Sequence, residues 1–114
     1  MGVAVYIQLS PQHLAMIRDL LHNYIPNTLV WAFGSRVKCT AKPWSDLDVV
    51  AFIGDDQKTR FSLLKEALEE SNVPFRVDLH IWDELPDSFQ RIIKQEYAVL
   101  QDSDNEVSPD LRTV

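Results

Sequence analysis

Asp46 and Asp48 are two acids one residue apart, running directly into the apolar stretch Val49-Val50-Ala51-Phe52-Ile53. In an extended chain, residues two apart face the same side. Their Cα atoms then lie roughly 6–7 Å apart at the usual strand rise. Asp is disfavoured in strands, so two on one face carry a cost unless something uses them. A third acid, Asp78, lies in Phe75-Arg76-Val77-Asp78-Leu79-His80-Ile81, where apolar residues alternate with polar ones. If this is a neighbouring strand, the same parity puts Asp78 on the polar face with the other two. Carboxylates brought together and ionised at neutral pH require a compensating charge. Magnesium supplies it readily, because it takes hard oxygen ligands and shares them with substrate phosphates. Two such ions about 3.5–4 Å apart can clamp both oxygens of a phosphoryl displacement.

Gly34 and Ser35 precede the acids and offer the complementary half of such a site. Gly34 permits a close turn. A helix opening there would present free N–H groups to a phosphate, and Ser35 adds a hydroxyl. No acid occurs between Asp19 and Asp46, while Arg36, Lys38 and Lys42 fall inside that window. Two readings of this cationic island stand: it neutralises a polyphosphate, or it is a solvated loop. His80 shares the polar face with Asp78; it either aids a proton transfer or is an exposed strand histidine, and the second is the simpler reading. Trp44 either stacks on a base or packs its loop against the body. Cys39, the single cysteine, has no identifiable partner base and reads as inert.

The elements that must position these residues follow from periodicity and punctuation. Ser10-Pro11 is a helix start, followed by Leu14, Ile17, Leu21 and Tyr24 at helical spacing. Residues 28–33 read as a strand, 35–39 as a short helix and 46–53 as a second strand. A helix bearing Phe61, Leu64 and Leu68 follows, then a strand over 75–81. Asp87 and Gln90 suggest a capping box for a last helix with Phe89, Ile92, Ile93, Tyr97 and Leu100 on its apolar side. The expected order is α-β-α-β-α-β-α, an α/β (α+β) domain with helices on one face of a small mixed sheet. For Gly34-Ser35 to meet Asp46 and Asp48, the first two strands must be antiparallel. The third follows a helix and so runs parallel to the second by a right-handed crossover. Residues 2–9 form a lead-in or an edge strand. The domain spans 1–101, and 102–114 form an acidic, flexible tail.

The 114 residues are 46% hydrophobic, enough for one core, with a net charge of −6. That charge argues against a protein whose main task is gripping nucleic acid by its phosphates. One cysteine excludes an intrachain disulfide and a cysteine-cluster metal site. No apolar run is long enough to span a bilayer, and the first residues lack a signal-peptide pattern. A cytoplasmic location is expected.

Gly34-Ser35, a gap, then Ser45-Asp46-Leu47-Asp48 and the distal Asp78 resemble the signature of the DNA polymerase β-type nucleotidyltransferase superfamily. At this size the similarity is to the minimal nucleotidyltransferases, and it covers the chain from about residue 10 to 100. The resemblance implies a nucleotidyltransferase fold and transfer of a nucleotidyl group, usually AMP from ATP, with pyrophosphate leaving. It implies that Asp46 and Asp48 bind two magnesium ions, that Asp78 binds the one activating the attacking hydroxyl, and that Gly34 and Ser35, with Arg36 beside them, hold the nucleotide. It also implies a HEPN-domain toxin as partner, with the nucleotidyltransferase as antitoxin adenylylating a tyrosine. A module that neutralises the partner by binding alone is the competing reading; either one entails a hetero- or homo-oligomer. The family pattern continues Gly-Ser-x-Ala-Arg-Gly, whereas Val37-Lys38-Cys39 stands here; Lys38 keeps the charge but not the fork of Arg.

Overall fold

A computed structural model describes residues 6–103. Helix α1 (Pro11–Tyr24) starts as its sequence dictates, with Ser10 Oγ accepting from His13 N at 3.2 Å and Pro11 in the first turn. Strand β1 (Val30–Phe33) leads into α2 (Ser35–Lys38), a single turn, and then β2 (Leu47–Ala51). A 3-10 turn (Asp55–Gln57) introduces α3 (Lys58–Glu69), followed by β3 (Val77–Ile81). A second 3-10 turn (Trp82–Glu84) precedes α4 (Asp87–Gln95) and β4 (Ala98–Gln101). None of the described helices is long and apolar enough to cross a membrane.

The sheet order is β3-β2-β1-β4. As the shared site required, β1 and β2 are antiparallel, with Phe33 opposite Asp48. Strands β2 and β3 are parallel, with Asp48 opposite Asp78, and α3 makes the crossover between them. Odd-numbered residues of β2 and β3 face α1 and α3. Leu47, Val49 and Ala51 join Ile17, Leu21, Phe61, Leu64 and Leu68 in the main core.

The sequence reading differs from the structure at the chain's end and on the second face. The last helix stops at Gln95 rather than running to Leu100, and Ala98–Gln101 pairs antiparallel with β1 as a fourth strand. Tyr97 and Leu100 satisfy a helical spacing, but Ala98 and Leu100 also alternate with Val99 and Gln101. An edge left on β1 would present unpaired N–H and C=O groups, so tertiary pairing decides the ambiguity. Leu100 O accepts from Arg18 Nε at 2.9 Å, and Gln101 Nε2 donates to Ile25 O and Thr28 O. The helix cap at Asp87 is also displaced: Pro86 is the cap residue, and Gln90 Nε2 donates to Trp82 O at 2.8 Å. Residues 6–9 are an irregular lead-in, residues 2–5 of the suggested edge strand lie outside the described residues, and so does the tail from residue 104.

The second face, expected to be open, is divided. Over β1 and β2 it carries a smaller core of Phe33, Val50 and Ile93, flanked by Trp31, Phe52, Trp82, Phe89 and Tyr97. Trp31 stacks on Tyr97 at 3.7 Å and Phe52 on Trp82 at 4.7 Å between ring centroids. Only the part near Asp48 and Asp78 remains polar. Two adjacent leucines on α3 test the assignment of its buried side. Leu64→Ala, fully buried, is expected to lose about 2–5 kcal/mol of unfolding free energy in a urea titration. Leu63→Ala, 43% exposed, should stay within about 0.5 kcal/mol of the parent.

Candidate active site

The site is built where three strands meet. Phe33 ends β1 opposite Asp48 in β2, and Asp48 lies opposite Asp78 in β3. Ligand atoms of Asp48, Asp78 and His80 all fall within 4.8 Å of one another. His80 Nε2 is 3.4 Å from Asp78 Oδ2. The Asp48 carboxyl is pushed above its ordinary value, first by burial and next by the like charge of Asp78. The arrangement is therefore a carboxylate pair that favours a cation between its members.

Gly34 is required twice over. Its φ of +86° is a backbone conformation other residues rarely adopt. A Cβ there would also sit 3.2 Å from Asp48 Cγ and closer still to Oδ2. The turn is thus pressed against the carboxylate with no room for a side chain. Ser35 is half-buried at the start of α2. The turn ends at Cys39, whose φ of +61° is again left-handed; the glycine of the family pattern would sit there without strain. The Cys39 side chain is a free, exposed thiol.

Arg36 and Asp46 are placed differently from expectation. The Arg36 guanidinium is buried, 5% exposed. It donates to Ser45 O at 3.1 and 2.9 Å, to Gln8 O at 2.7 Å and to Pro43 O at 3.0 Å. It also lies 4.1 Å above the Phe75 ring. Its donors are engaged with carbonyls, so Arg36 clamps the 40–45 loop to the lead-in instead of being aimed at a phosphate. Of the cationic island, Lys38 is the member that lines the site, and it is exposed. Asp46 falls just before β2 and forms an ion pair with Arg76 at 3.2 Å. It lies outside the Asp48–Asp78–His80 group, whose ligand atoms are within 4.8 Å of one another, yet near enough for its charge to help raise the Asp48 carboxyl. His80 belongs to the site that sequence reasoning placed at the surface; its shared parity with Asp78 was the available signal. Trp44 is 72% exposed rather than packed on the body.

A cleft of about 370 Å³ opens over the carboxylates. Its lining joins Gly34 and Lys38 of the turn, Asp48, Asp78 and His80 of the sheet, and Phe89, Ile92 and Glu96 of the α4 region. The donor set suits a divalent cation: two carboxylate oxygens for a hard ion, with His80 as a neighbour that magnesium does not prefer as ligand.

Two substitutions test this electrostatic account. Asp48 has a raised pKa in the folded chain, so its contribution to stability is greatest when it is protonated and is lost as pH rises through the folded value. In metal-free buffer at neutral pH, Asp48→Asn should raise Tm above that of wild type. The difference from wild type should shrink on acidification, as differential scanning fluorimetry across pH will show. Gly34→Ala should act oppositely, losing about 1–2 kcal/mol from the left-handed backbone alone and more from displacement of the Asp48 carboxylate, read by urea unfolding.

Known proteins resemble this chain. The family model described as polymerase beta, nucleotidyltransferase matches residues 16–106. A probable protein adenylyltransferase MntA of Haemophilus influenzae is 39% identical over 103 residues, covering 89% of this chain and 90% of that one. A crystal structure of a toxin–antitoxin with AMP-PNP superposes with a TM-score of 0.56 at 19% identity, over 86% of this chain and 77% of that one. That likeness concerns the fold. The family match and the relative together span α1 to β4 and every acid of the site, and on that ground the chain belongs to the polymerase beta nucleotidyltransferases and, among them, to the minimal nucleotidyltransferases.

Proposed function

We propose that this protein transfers AMP from ATP to a tyrosine hydroxyl of a HEPN-domain toxin and thereby acts as its antitoxin. The observation that carries the reading is the in-register pair of Asp48 and Asp78 beside the Gly34 turn. The protein adenylyltransferase name of the relative supports the nucleotide and the acceptor class. The toxin–antitoxin neighbour with its bound ATP analogue supports the setting.

Asp48 and Asp78 would hold magnesium, and Asp46, released from Arg76, is the carboxylate a second ion would recruit. Bound magnesium supplies positive charge to the phosphates and to the leaving pyrophosphate. The chain itself does the rest. The Gly34-Ser35 turn brings backbone close to the triphosphate, and Lys38 adds a cation on that flank. The acceptor oxygen approaches from the Asp78 side and attacks the α-phosphorus. A new O–P bond forms, the bond between the α-phosphorus and the bridging oxygen breaks, and pyrophosphate departs. The phenolic proton passes to the Asp78 carboxylate and from there to solvent.

The test is incubation of the protein with ATP labelled at the α-phosphate, magnesium and the toxin encoded beside it. Label should enter the toxin, EDTA should abolish transfer, and label at the γ-phosphate should stay out of protein. Asp78→Asn should lower the rate by about 10²-fold or more while toxin binding persists in a pull-down. A wild-type protein that binds and silences the toxin without transferring label would replace this reading with neutralisation by binding alone.

A further inference from the structure

We infer that the flank of α4 formed by Phe89 and Ile92 is the acceptor subsite, an apolar shelf that receives the aromatic ring carrying the reacting hydroxyl. The inference rests on the transfer reaction proposed above and deepens it by assigning the residues that choose an aryl over an alkyl hydroxyl.

Phe89, Ile92, Ile93 and Glu96 are spaced to follow one side of α4 and its end, and all line the cleft. Ile93 is the anchor, 1% exposed and packed with Phe33 and Val50. Phe89 stands edge-on to Phe33 at 5.7 Å and to His80 at 6.3 Å. Ile92 is 57% exposed. An isoleucine held so far into solvent, directly beside a carboxylate pair, is an apolar surface already positioned by a buried neighbour. The rim residues of this cleft are Lys38 and Glu96.

Strand order separates the two ends of the cleft. The sheet runs β3-β2-β1 across the floor, so Gly34 and Lys38 after β1 lie on one side of Asp48, and Asp78 with His80 on the other. In a displacement at phosphorus, the attacking and leaving oxygens are roughly in line. With the leaving pyrophosphate on the Gly34–Lys38 side, the attacking oxygen enters over Asp78. Phe89 stands between the two ends, 5.7 Å from Phe33 and 6.3 Å from His80, so its His80 side borders that path, and Ile92 lines the same cleft. A phenol places its hydroxyl a full ring beyond its Cβ, so the ring lies on the shelf while the oxygen meets Asp78. A serine hydroxyl, attached directly to Cβ, leaves the shelf uncovered and reaches the carboxylates only if the acceptor backbone enters the cleft.

The experiment uses the full chain with labelled ATP and magnesium, and as acceptors three peptides identical except for Tyr, Ser or Phe at one position. Wild type should label the Tyr peptide at least tenfold faster than the Ser peptide, and the Phe peptide should inhibit competitively against Tyr. Ile92→Gln, a neutral polar change at a solvent-facing position, should raise KM for the Tyr peptide tenfold or more with kcat within threefold. It should also weaken inhibition by the Phe peptide. Binding of magnesium with AMP-PNP, followed by calorimetry, should be unchanged in Ile92→Gln, and Phe89→Leu should retain both folding and partial acceptor affinity. Loss of nucleotide affinity in Ile92→Gln would overturn the assignment in favour of a nucleobase platform. Equal KM for wild type and Ile92→Gln, or equal rates on Tyr and Ser, would overturn it as well. Failure of wild type to label any peptide or the toxin would remove the transfer reaction itself, and the subsite with it.

Discussion

Two carboxylates sit directly across from each other on parallel strands, and the rest of the site is arranged around their repulsion. Asp48 and Asp78 are in register; no side-chain rotation takes either to the opposite face, because strand parity is fixed by the covered side. Sliding β3 by one residue would remove the clash but would turn Val77, Leu79 and Ile81 away from α1 and α3. The main core thus enforces an unfavourable pairing. Burial and the neighbouring charge both hold the Asp48 carboxyl above its usual range. A bound cation relieves that repulsion at neutral pH, which makes ligand affinity and intrinsic instability two aspects of the same geometry.

The turn before β2 depends on that pair from the other side. Gly34 is packed so tightly on Asp48 that a methyl group is excluded, and the return from α2 must then bring Asp46 and Asp48 back across the sheet. Arg36 makes this return reproducible. A buried guanidinium can satisfy several carbonyls at once in its planar fork. Here it joins Gln8, Pro43 and Ser45, three points of chain that share no regular secondary structure. Gln8 adds a reciprocal pair with the Ala41 backbone. A residue that looks like a phosphate ligand by sequence is therefore engaged in fixing the loop that carries Ser45 into β2.

The sequence made the strand directions and the Asp48–Asp78 meeting legible, because alternation in 75–81 and the one-residue gap between the acids each have a single structural meaning once a face is buried. It did not distinguish a cation aimed at a ligand from one aimed at carbonyls, since Arg36 and Lys38 have the same local signal and opposite burial. Nor did it separate Asp46, which pairs with Arg76, from Asp48, which lies opposite Asp78, because the two acids read alike along the chain. The last strand was hidden by a coincidence of periods, with Tyr97 and Leu100 fitting a helix and Ala98 and Leu100 fitting a strand. Only the need of β1 for a second partner resolves that, and such a need is nonlocal.

That fourth strand has a consequence for the site that it never touches. By ending α4 at Gln95 and bringing Tyr97 onto Trp31, β4 fixes the helix from its C-terminal side. The Gln90 contact to Trp82 and the Phe52–Trp82 stack fix it from the other. Aromatic pairs of this kind add about 0.5–1.5 kcal/mol each beyond their burial. The polar half of this face is destabilised by its charges, and the stacked rings of the aromatic half offset that within a single sheet. A cleft flank carried on α4 can then expose an isoleucine beside two carboxylates without yielding to collapse, because the helix is held by contacts that lie outside the cleft. In a domain this small, rigidity at the reacting centre has to come from the adjoining half of the same face, and the division of that face between acids and rings is what makes a site possible there.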